Sequence, residues 1–393
     1  MTMDFSLDRV LGPVTPARFF SEFFEAKHCV IKRGDAGFYA GLLDHNDVDH
    51  VLTTMGLQIP EVNVTKAGSN ITGSDFAYEN GAIDPVRVAQ LYADGATVIL
   101  SGLHERLSQL ARYCRAMEAA LSARVQTNVY MTPAGNQGFN PHYDSHDVLA
   151  LQIAGAKEWR IYGKPVELPL DSQGFERGMD VGEEVDRFIL EPGDAVYVPR
   201  GLAHDAVATD EGSLHITTGL MFRTWADVVA EAVIATAHRN PELRRAIPPG
   251  FANDGVDLDA YMPVYEQMVQ SLFDVPVGKM MAGFRDEFLT ARVPRVEGQF
   301  AQLSALQTLS VESVVGARPH ILFNLAEEDE GMARLVAQGT EIVLPSYAAE
   351  AMRFCVTTPF FRVGDMEGDL DDAGKLVLAR RLIREGLMMV HPA

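Results

Sequence analysis

Three residues of the sequence have the types and the spacing of a metal site. His142 and Asp144 are two positions apart, and on an extended strand such side chains point to the same face. His204 follows much later in the chain. Two histidines and one carboxylate form the facial triad of non-haem Fe(II) oxygenases, which leaves coordination positions open for substrate and O₂. The spacing therefore predicts a metal site, although a hydrogen-bonded core histidine or a Zn or Mn site would use the same residue types.

The residues before His204 favour the metal site. Glu191-Pro-Gly-Asp194 reads as a turn, Ala195–Val198 as a short apolar strand, and Pro199-Arg-Gly201 as a second turn that leads to the histidine. A jelly roll places its distal metal ligand at the barrel mouth in this way. We also expect Asp147 to order the loop that follows the first two ligands.

The elements around these residues predict a β-barrel with helical flanks. Between residues 123 and 222, short β-type runs alternate with Gly, Pro and Asp turns, which is typical of a sandwich or barrel. The predicted strands are 125–130, 148–153, 158–162, 195–198 and 214–221. An amphipathic helix is predicted before them over 103–121, and a short strand over 29–33.

Beyond residue 225 the pattern is helical. Helices are predicted over 226–238, 260–272 and 278–289. In the last segment, a helical stripe that includes Leu376 and Leu382 ends at Gly386, a good C-cap, and 387–390 reads as a strand. Residues 301–393 carry 8 Lys+Arg and 13 Asp+Glu, a net charge of −5, whereas a DNA-reading module should be basic. We interpret this segment as an architectural or protein-binding module.

The composition limits partners and compartment. The 393 residues carry a net charge of −21, which repels phosphate backbones, so we expect no nucleic-acid partner, while a basic protein or peptide fits. No apolar run approaches the roughly 18 residues of a membrane helix, so no membrane partner is expected. The first residues lack the features of a signal peptide, and three scattered cysteines read as reduced thiols. Both observations predict a cytoplasmic protein.

Four motifs in order resemble the cupin-type JmjC ribosomal oxygenases, which are Fe(II)- and 2-oxoglutarate-dependent protein hydroxylases. The motifs are Pro141-His-Tyr-Asp-Ser-His-Asp-Val148, Leu151-Gln-Ile-Ala-Gly-Ala-Lys-Glu-Trp-Arg-Ile-Tyr162, Glu191-Pro-Gly-Asp-Ala-Val-Tyr-Val-Pro-Arg-Gly-Leu-Ala-His204 and Ser213-Leu-His-Ile-Thr-Thr-Gly219. The resemblance covers about 100 residues. Glu158 stands where relatives often have a basic residue, and the linker 163–188 is this chain's own; both bear on the choice of substrate and not on the iron or the cosubstrate.

The resemblance implies an α+β fold, a double-stranded β-helix of the jelly-roll or cupin type with helical flanks. It implies a catalytic domain over 1–225, a helical dimerisation region over 226–300 that makes a homodimer, and a winged-helix-like domain over 301–393. It also implies Fe(II), 2-oxoglutarate and O₂ as cofactors. The residues that match the iron ligands of the family are His142, Asp144 and His204.

The resemblance further implies a cosubstrate pocket. Lys157 matches the cation that pairs with the far carboxylate of 2-oxoglutarate, and a charge-assisted bond of that kind is physically reasonable. Asn128 and Tyr130 match pocket-lining positions, while His215 and Thr217 share one face of the last strand and are expected to reach the same cavity. We interpret Trp159 as a core residue.

The implied function is hydroxylation of a C–H bond in a protein or peptide side chain. A ribosomal protein is one such target that the resemblance implies. Two alternatives stay open at this point. One is the same chemistry on a natural-product precursor peptide or a small metabolite, and the other is a catalytically silent cupin scaffold. The intact triad and Lys157 argue against the scaffold.

Overall fold

The computed structural model describes residues 5–328 and 331–391 of the chain. They form two compact units, Met1–Phe222 and Arg223–Ala393. The first four residues, which contribute to the expectation that no signal peptide is present, lie outside the described ranges. Within those ranges, no helix has both the length and the apolar character needed to cross a membrane.

The first unit is built on one antiparallel sheet flanked by helices. Its strands are β1 (Cys29–Ile31), β2 (Val62–Thr65), β3 (Thr97–Leu100), β4 (Arg124–Thr132), β5 (Asp147–Ile161), β6 (Asp186–Leu190), β7 (Ala195–Val198) and β8 (His204–Met221). Its α-helices are α1 (Leu7–Leu11), α2 (Pro16–Glu22), α3 (His45–Thr54), α4 (Gly73–Phe76), α5 (Pro85–Ala93) and α6 (Ser108–Leu121). The strand order is β1-β7-β5-β8-β4-β3-β2, and β6 pairs with β5.

Two long strands carry the site. β5 and β8 pair from Asp147 opposite Leu220 to Ile161 opposite His204, and the register shifts twice, between Gln152 and Ala154 and between Gly155 and Lys157. At Gly155, where φ is +58°, a Cβ atom would lie 2.2 Å from the carbonyl oxygen of Gly212, so only glycine fits this bulge. The bulge therefore sets which face of β5 the following side chains occupy.

The strands predicted from the sequence are present. Strand 195–198 has its predicted bounds, the strand predicted over 29–33 ends at Ile31, and the other observed strands are longer than predicted. The predicted strands 148–153 and 158–162 are one bulged strand, and the predicted strand 214–221 begins ten residues earlier, at His204. Part of the predicted linker 163–188 belongs to β6. The helix predicted from residue 103 begins at Ser108, because Leu107 has extended dihedral angles that interrupt it.

Helix α6 covers the sheet with its apolar face. Leu110, Tyr113 and Met117 are buried in the main core, and burying such a side chain stabilises a fold by roughly 1.5–3 kcal/mol. The hydroxyl groups of Tyr113 and Thr218 are 2.9 Å apart, so the helix is also hydrogen-bonded to β8. Helix α6 is therefore fixed against β8, the strand that carries His215 and Thr217.

The second unit is helical first and mixed afterwards. Its α-helices are α7 (Trp225–Arg239), α8 (Met262–Gln270), α9 (Val277–Thr290), α10 (Gln299–Ala305), α11 (Ala349–Thr357) and α12 (Asp372–Arg384). Its strands are β9 (Val314–Ala317), β10 (Phe323–Glu328), β11 (Met332–Ala337), β12 (Thr340–Pro345), β13 (Phe361–Arg362) and β14 (Met388–Val390). They form the three-stranded sheets β10-β11-β12 and β13-β9-β14.

The predicted helices of this unit are present, and so are the final helix and strand on either side of Gly386, whose φ is +73°. Their assignment as a dimerisation region over 226–300 and a winged-helix-like domain over 301–393 stays a prediction.

Candidate metal and cosubstrate site

The three predicted metal ligands meet at one end of the sheet. The backbone groups of His142 and His204 form an antiparallel bridge, with N–O distances of 3.1 and 2.8 Å. One potential ligand atom each from His142, Asp144 and His204 lies within 4.8 Å of the others. The Nε2 atom of His204 is 3.7 Å from Oδ2 of Asp144, which is too long for a direct hydrogen bond and suits two ligands of one ion.

The two imidazoles are oriented for metal binding through Nε2. The Nδ1 atom of His142 lies 2.9 Å from the carbonyl oxygen of Asn140, and that of His204 lies 3.1 Å from the carbonyl oxygen of Leu202. A carbonyl can only accept, so each Nδ1 carries the proton and each Nε2 keeps a free lone pair. Burial, reinforced by neighbouring His142, lowers the pKa of His204 and favours the neutral form that binds metals.

Asp147 connects the two ligand-bearing loops, as expected from the sequence. Its buried carboxylate accepts hydrogen bonds from the Arg200 backbone N–H at 2.8 Å and from the Tyr197 hydroxyl at 3.0 Å. Burial raises the pKa of Asp147. The Gly201 N–H also donates to the Asp144 carbonyl at 3.0 Å. The turn that leads to His204 is therefore hydrogen-bonded to the segment that carries Asp144.

Lys157 lies in the interior without a counter-ion. It is 4% exposed, and among the described residues no hydrogen bond or opposite charge acts on its ammonium group. Burial alone lowers the pKa of Lys157 to about 7. A buried cation without an anion is costly to keep, so an anionic ligand at this place would fit the residues present.

The other four predicted pocket residues lie on the same faces of two paired strands. Tyr130 is opposite His215 and Asn128 is opposite Thr217 in the β4–β8 register. The rings of Tyr130 and His215 stack with centroids 4.9 Å apart. Burial lowers the pKa of His215 well below its usual value, and the charge of Lys157 adds to the effect. His215 Nδ1 is buried and has no hydrogen-bond partner, as expected for a pocket that accepts a polar ligand.

Tyr130 joins the cosubstrate end of the pocket to the metal end. Burial raises the pKa of Tyr130, and the carboxylate of Asp144 adds to the shift. The phenol therefore stays protonated and can donate a hydrogen bond. The side chain of Asn128 accepts a bond from the Gly102 N–H at 3.1 Å, which fixes its orientation.

Several residues of the site were not recognised in the sequence as part of it. Trp159, interpreted there as core, is buried and stacks on His204 with ring centroids 5.7 Å apart, and its Nε1 has no partner. Phe139 and Phe175 both approach the ring of His142, at 5.5 and 6.5 Å. No sequence motif marks either phenylalanine, because each lies in an irregular segment. His146 lies against Gly219 and is outside the three-residue ligand group.

The residues present fit a divalent metal with a dicarboxylate beside it. Two imidazoles and one carboxylate form a facial ligand set, and the unpaired Lys157 and the buried, unpartnered Nδ1 of His215 are polar groups that a ligand could satisfy.

Residues 103–228 match the JmjC domain family. Human ribosomal oxygenase 1 is 28% identical to it over 429 residues, an alignment that covers 97% of this chain and 66% of the human protein. The bifunctional lysine-specific demethylase and histidyl-hydroxylase NO66 of Drosophila erecta is 32% identical over 219 residues, which cover 54% of this chain and 33% of the fly protein. The chain thus spans less than two thirds of either relative.

A solved structure supports the fold outside the JmjC domain as well. The Escherichia coli ribosomal oxygenase YcfD, in complex with cobalt and 2-oxoglutarate, superposes with a TM-score of 0.57 at 15% identity, over 97% of this chain and 99% of that one. The predicted cupin fold and the resemblance to JmjC ribosomal oxygenases are therefore confirmed.

Proposed function

We propose that this protein is an Fe(II)- and 2-oxoglutarate-dependent oxygenase that hydroxylates a C–H bond of a protein or peptide side chain. The observation that carries the proposal is the pairing of two features in one JmjC domain. One is the triad with both imidazoles turned to offer Nε2, and the other is the buried, unpaired ammonium of Lys157. A silent scaffold would have no reason to retain an uncompensated buried cation.

His142, Asp144 and His204 hold the iron in this proposal and are its catalytic residues. Bound Fe(II) supplies the activation of O₂ that is coupled to oxidation of 2-oxoglutarate to succinate and CO₂. The protein contributes the fixed Nδ1–H orientation of the two histidines, of which His204 is buried and His142 is half-buried. Trp159 stacks on His204 and limits the movement of its ring.

Lys157 binds the far carboxylate of 2-oxoglutarate, because a charge-assisted bond compensates both the buried ammonium and the buried carboxylate. Tyr130 and His215 line the same end of the pocket through their stacked rings, and Asn128 and Thr217 lie one register step away. The protonated phenol of Tyr130 is a donor to a carboxylate oxygen. Together these side chains hold the cosubstrate in one orientation.

A protein substrate is supported by the names of the relatives, which describe ribosomal oxygenases and a histidyl-hydroxylase. The net charge of −21 favours a basic segment, because opposite charge steers association. Ribosomal proteins are candidates on both grounds. The same acidity argues against nucleic acid as a partner and is compatible with the cytoplasm as the working compartment.

Residues 226–300 act as a dimerisation region in this proposal. Several apolar side chains on α7 and α9 are largely exposed, among them Trp225 at 74%, Val229 at 56% and Val277 at 58%. A two-fold partner that presents the same helices would bury them, and two-fold dimers are the commonest closed oligomers. Residues 301–393 then form an acidic, winged-helix-like module that binds protein.

The first experiment measures succinate formed from 2-oxoglutarate by anaerobically reconstituted, Fe(II)-loaded protein after O₂ is admitted. Wild type should turn over, whereas His142→Ala, Asp144→Ala and His204→Ala should each fall to background, since each removes one of three ligands. His146→Ala is the matched control, because this histidine is on the same loop but outside the ligand group. Full turnover in the Asp144 and His204 variants would refute the triad.

The second experiment identifies the substrate class and the oligomer. Mass spectrometry should find a +16 Da shift in a ribosomal protein or basic peptide incubated with wild type but not with His204→Ala. Hydroxylation of metabolites alone would replace the protein substrate by a small molecule.

Light scattering should give twice the 43.1 kDa chain mass, and a mass of one chain would exclude the dimer.

A further inference from the structure

A buried carboxylate directly follows the metal ligand His204 and has no part in the site described above. Asp205 is 2% exposed, and neighbouring residues of a strand point to opposite faces, so Asp205 faces away from the metal position. It is also outside the three-residue ligand group. In the β5–β8 register Asp205 lies opposite Arg160, which places it between two strands that both carry residues of the site.

Four hydrogen bonds converge on the carboxylate of Asp205. Arg160 binds it in a bidentate manner, with Nε 2.8 Å from Oδ1 and Nη2 2.6 Å from Oδ2. The Nε2 atom of Gln137 donates to Oδ2 at 2.8 Å, and the Tyr162 hydroxyl donates to Oδ1 at 3.3 Å. A bidentate contact between guanidinium and carboxylate is strong and has a fixed geometry. The carboxylate is therefore held in one place and can fix the groups that bind it.

Gln137 belongs to the loop of residues 133–141, which precedes the first metal ligand. Its Nε2 also donates to the backbone carbonyl of Phe139 at 2.5 Å, and its Oε1 accepts a bond from Arg160 Nη2 at 3.3 Å. Because the amide nitrogen faces two acceptors and the amide oxygen faces a guanidinium, only one orientation of the amide satisfies all these partners. Gln137 therefore attaches the loop to Asp205 through its side chain.

The end of this loop is joined to the metal ligands themselves. The backbone groups of His142 pair with those of His204, and the carbonyl of Asn140 accepts the Nδ1 proton of His142 at 2.9 Å. Only two residues separate Asn140 from Gln137 in the chain. A movement of the loop at Gln137 would therefore displace the carbonyl that orients the His142 imidazole. Because Asp205 is the neighbour of His204, this one carboxylate is connected to both histidine ligands.

We propose that Asp205, Arg160 and Gln137 form a positioning network that sets the distance and the orientation between the two histidine ligands. The inference rests on the proposed oxygenase function, because it concerns the same metal site. The three are positioning residues and not catalytic ones, since they act through His142 and His204. The network increases metal affinity, because ligands that are already in place lose less conformational freedom when the metal binds.

An ion pair that only stabilised the fold would have a different signature. Loss of such a pair lowers the melting temperature, but the molecules that are folded keep their ligands in place and bind the metal as before. Loss of a positioning contact weakens metal binding by protein that is still folded. Changes to residues that orient metal ligands typically reduce the metal affinity by roughly 10- to 100-fold. Metal affinity and melting temperature, measured together, therefore separate the two roles.

The test titrates Co(II) into metal-free, full-length protein and follows the visible absorption of the bound ion, which reports its coordination geometry. Gln137→Ala should raise the Kd for Co(II) roughly tenfold and change the spectrum, because the loop loses its attachment to Asp205. Asp205→Asn should raise the Kd by at least as much. Glu158→Gln is the matched control, because Glu158 is on the same face of β5 as Arg160 but pairs with the exposed Arg187 at 3.0 Å.

Two results would overturn the inference. One is an unchanged Kd for Co(II) in both Gln137→Ala and the isosteric Gln137→Glu, whose carboxylate cannot donate to Asp205. The other is an equal rise of the Kd in Glu158→Gln, which would indicate a general effect of charge on this face of the sheet. If Asp205→Asn unfolds, the two Gln137 variants decide, because neither removes the Arg160–Asp205 pair.

Failure of this inference can be distinguished from failure of the proposed function. The network is tested by Co(II) binding, whereas the oxygenase is tested by succinate formation with Fe(II). A wild type that binds Co(II) but forms no succinate contradicts the oxygenase alone. A wild type that forms succinate while the Gln137 variants bind Co(II) normally contradicts the network alone, and a wild type that binds no Co(II) refutes both.

Discussion

The buried ammonium of Lys157 makes cosubstrate binding depend on pH in a direction that can be calculated. Burial lowers the pKa of Lys157 to about 7 in the free protein, and only the protonated form pairs with a carboxylate. Raising the pH therefore deprotonates the free site before 2-oxoglutarate binds. The carboxylates of the ligand are ionised throughout this range, so Lys157 controls the titration.

The magnitude follows from the fraction of protonated lysine. With a pKa of about 7, that fraction is about one half at pH 7.0 and about 3% at pH 8.5, so the Kd for 2-oxoglutarate should increase about 16-fold. The lost contact itself is worth roughly 1.5–3 kcal/mol. Lys157→Ala should accordingly raise the Kd roughly 10- to 150-fold at pH 7 and remove the pH dependence.

Isothermal titration of 2-oxoglutarate into anaerobic, metal-loaded protein at four pH values from 7.0 to 8.5 measures this effect. Lys157→Arg is the matched control, because a guanidinium stays protonated across the whole range and its Kd should stay level. A level Kd in wild type would refute the reasoning. An equal slope in wild type and Lys157→Arg would assign the titration to another group, such as a metal-bound water.

Three further predictions concern stability and partners. In the absence of 2-oxoglutarate, Lys157→Met should raise the free energy of unfolding at pH 7 by on the order of 1–4 kcal/mol. The stabilisation by Lys157→Met should become smaller as the pH rises from 7 toward 10. In that window the lysine binds more protons in the unfolded state than in the folded state, so the free energy of unfolding of the wild type rises with pH. A difference in unfolding free energy between variant and wild type that grows with pH, measured by calorimetry, would contradict this. Asp147→Ala should lower the melting temperature, since each of the two donors it leaves unpaired costs roughly 1–3 kcal/mol, and an unchanged melting temperature speaks against its connecting role. Random duplex DNA should show no binding at physiological ionic strength by fluorescence anisotropy, and a salt-dependent Kd in the micromolar range would contradict the acidic-surface argument.

The amino-acid sequence was sufficient to predict the chemistry of the metal site. Strand geometry alone places His142 and Asp144 on one face, and a turn, an apolar strand and a second turn predict where His204 is presented. The strand at 195–198 was predicted with its observed bounds, because short buried strands between Gly and Pro turns have a strong local signal. Lys157 was identified through the family resemblance, and its burial agrees with that assignment.

Tertiary structure decided the register and therefore the pocket. The bridge between His142 and His204, and the facing of Tyr130 and His215, join residues 62 and 85 positions apart, and no local pattern specifies such a pairing. The bulges between Gln152 and Lys157 change which face of β5 points inward, although the sequence reads as two separate strands. Strand β6 was missed because its edge position leaves it mostly exposed and without an apolar alternation.

The aromatic rings beside the metal ligands are placed by tertiary structure for the same reason. Phe139 and Phe175 lie in segments without periodicity, and only the hydrogen bonds from the Tyr143 hydroxyl to the segment of Phe175 and the close packing of that segment on Gly201 bring Phe175 to His142. Local sequence determines which side chains can bind a metal, because ligand type and strand spacing are local properties. Which side chains surround that metal is set by long-range packing and backbone hydrogen bonds, which form only when the whole barrel has folded.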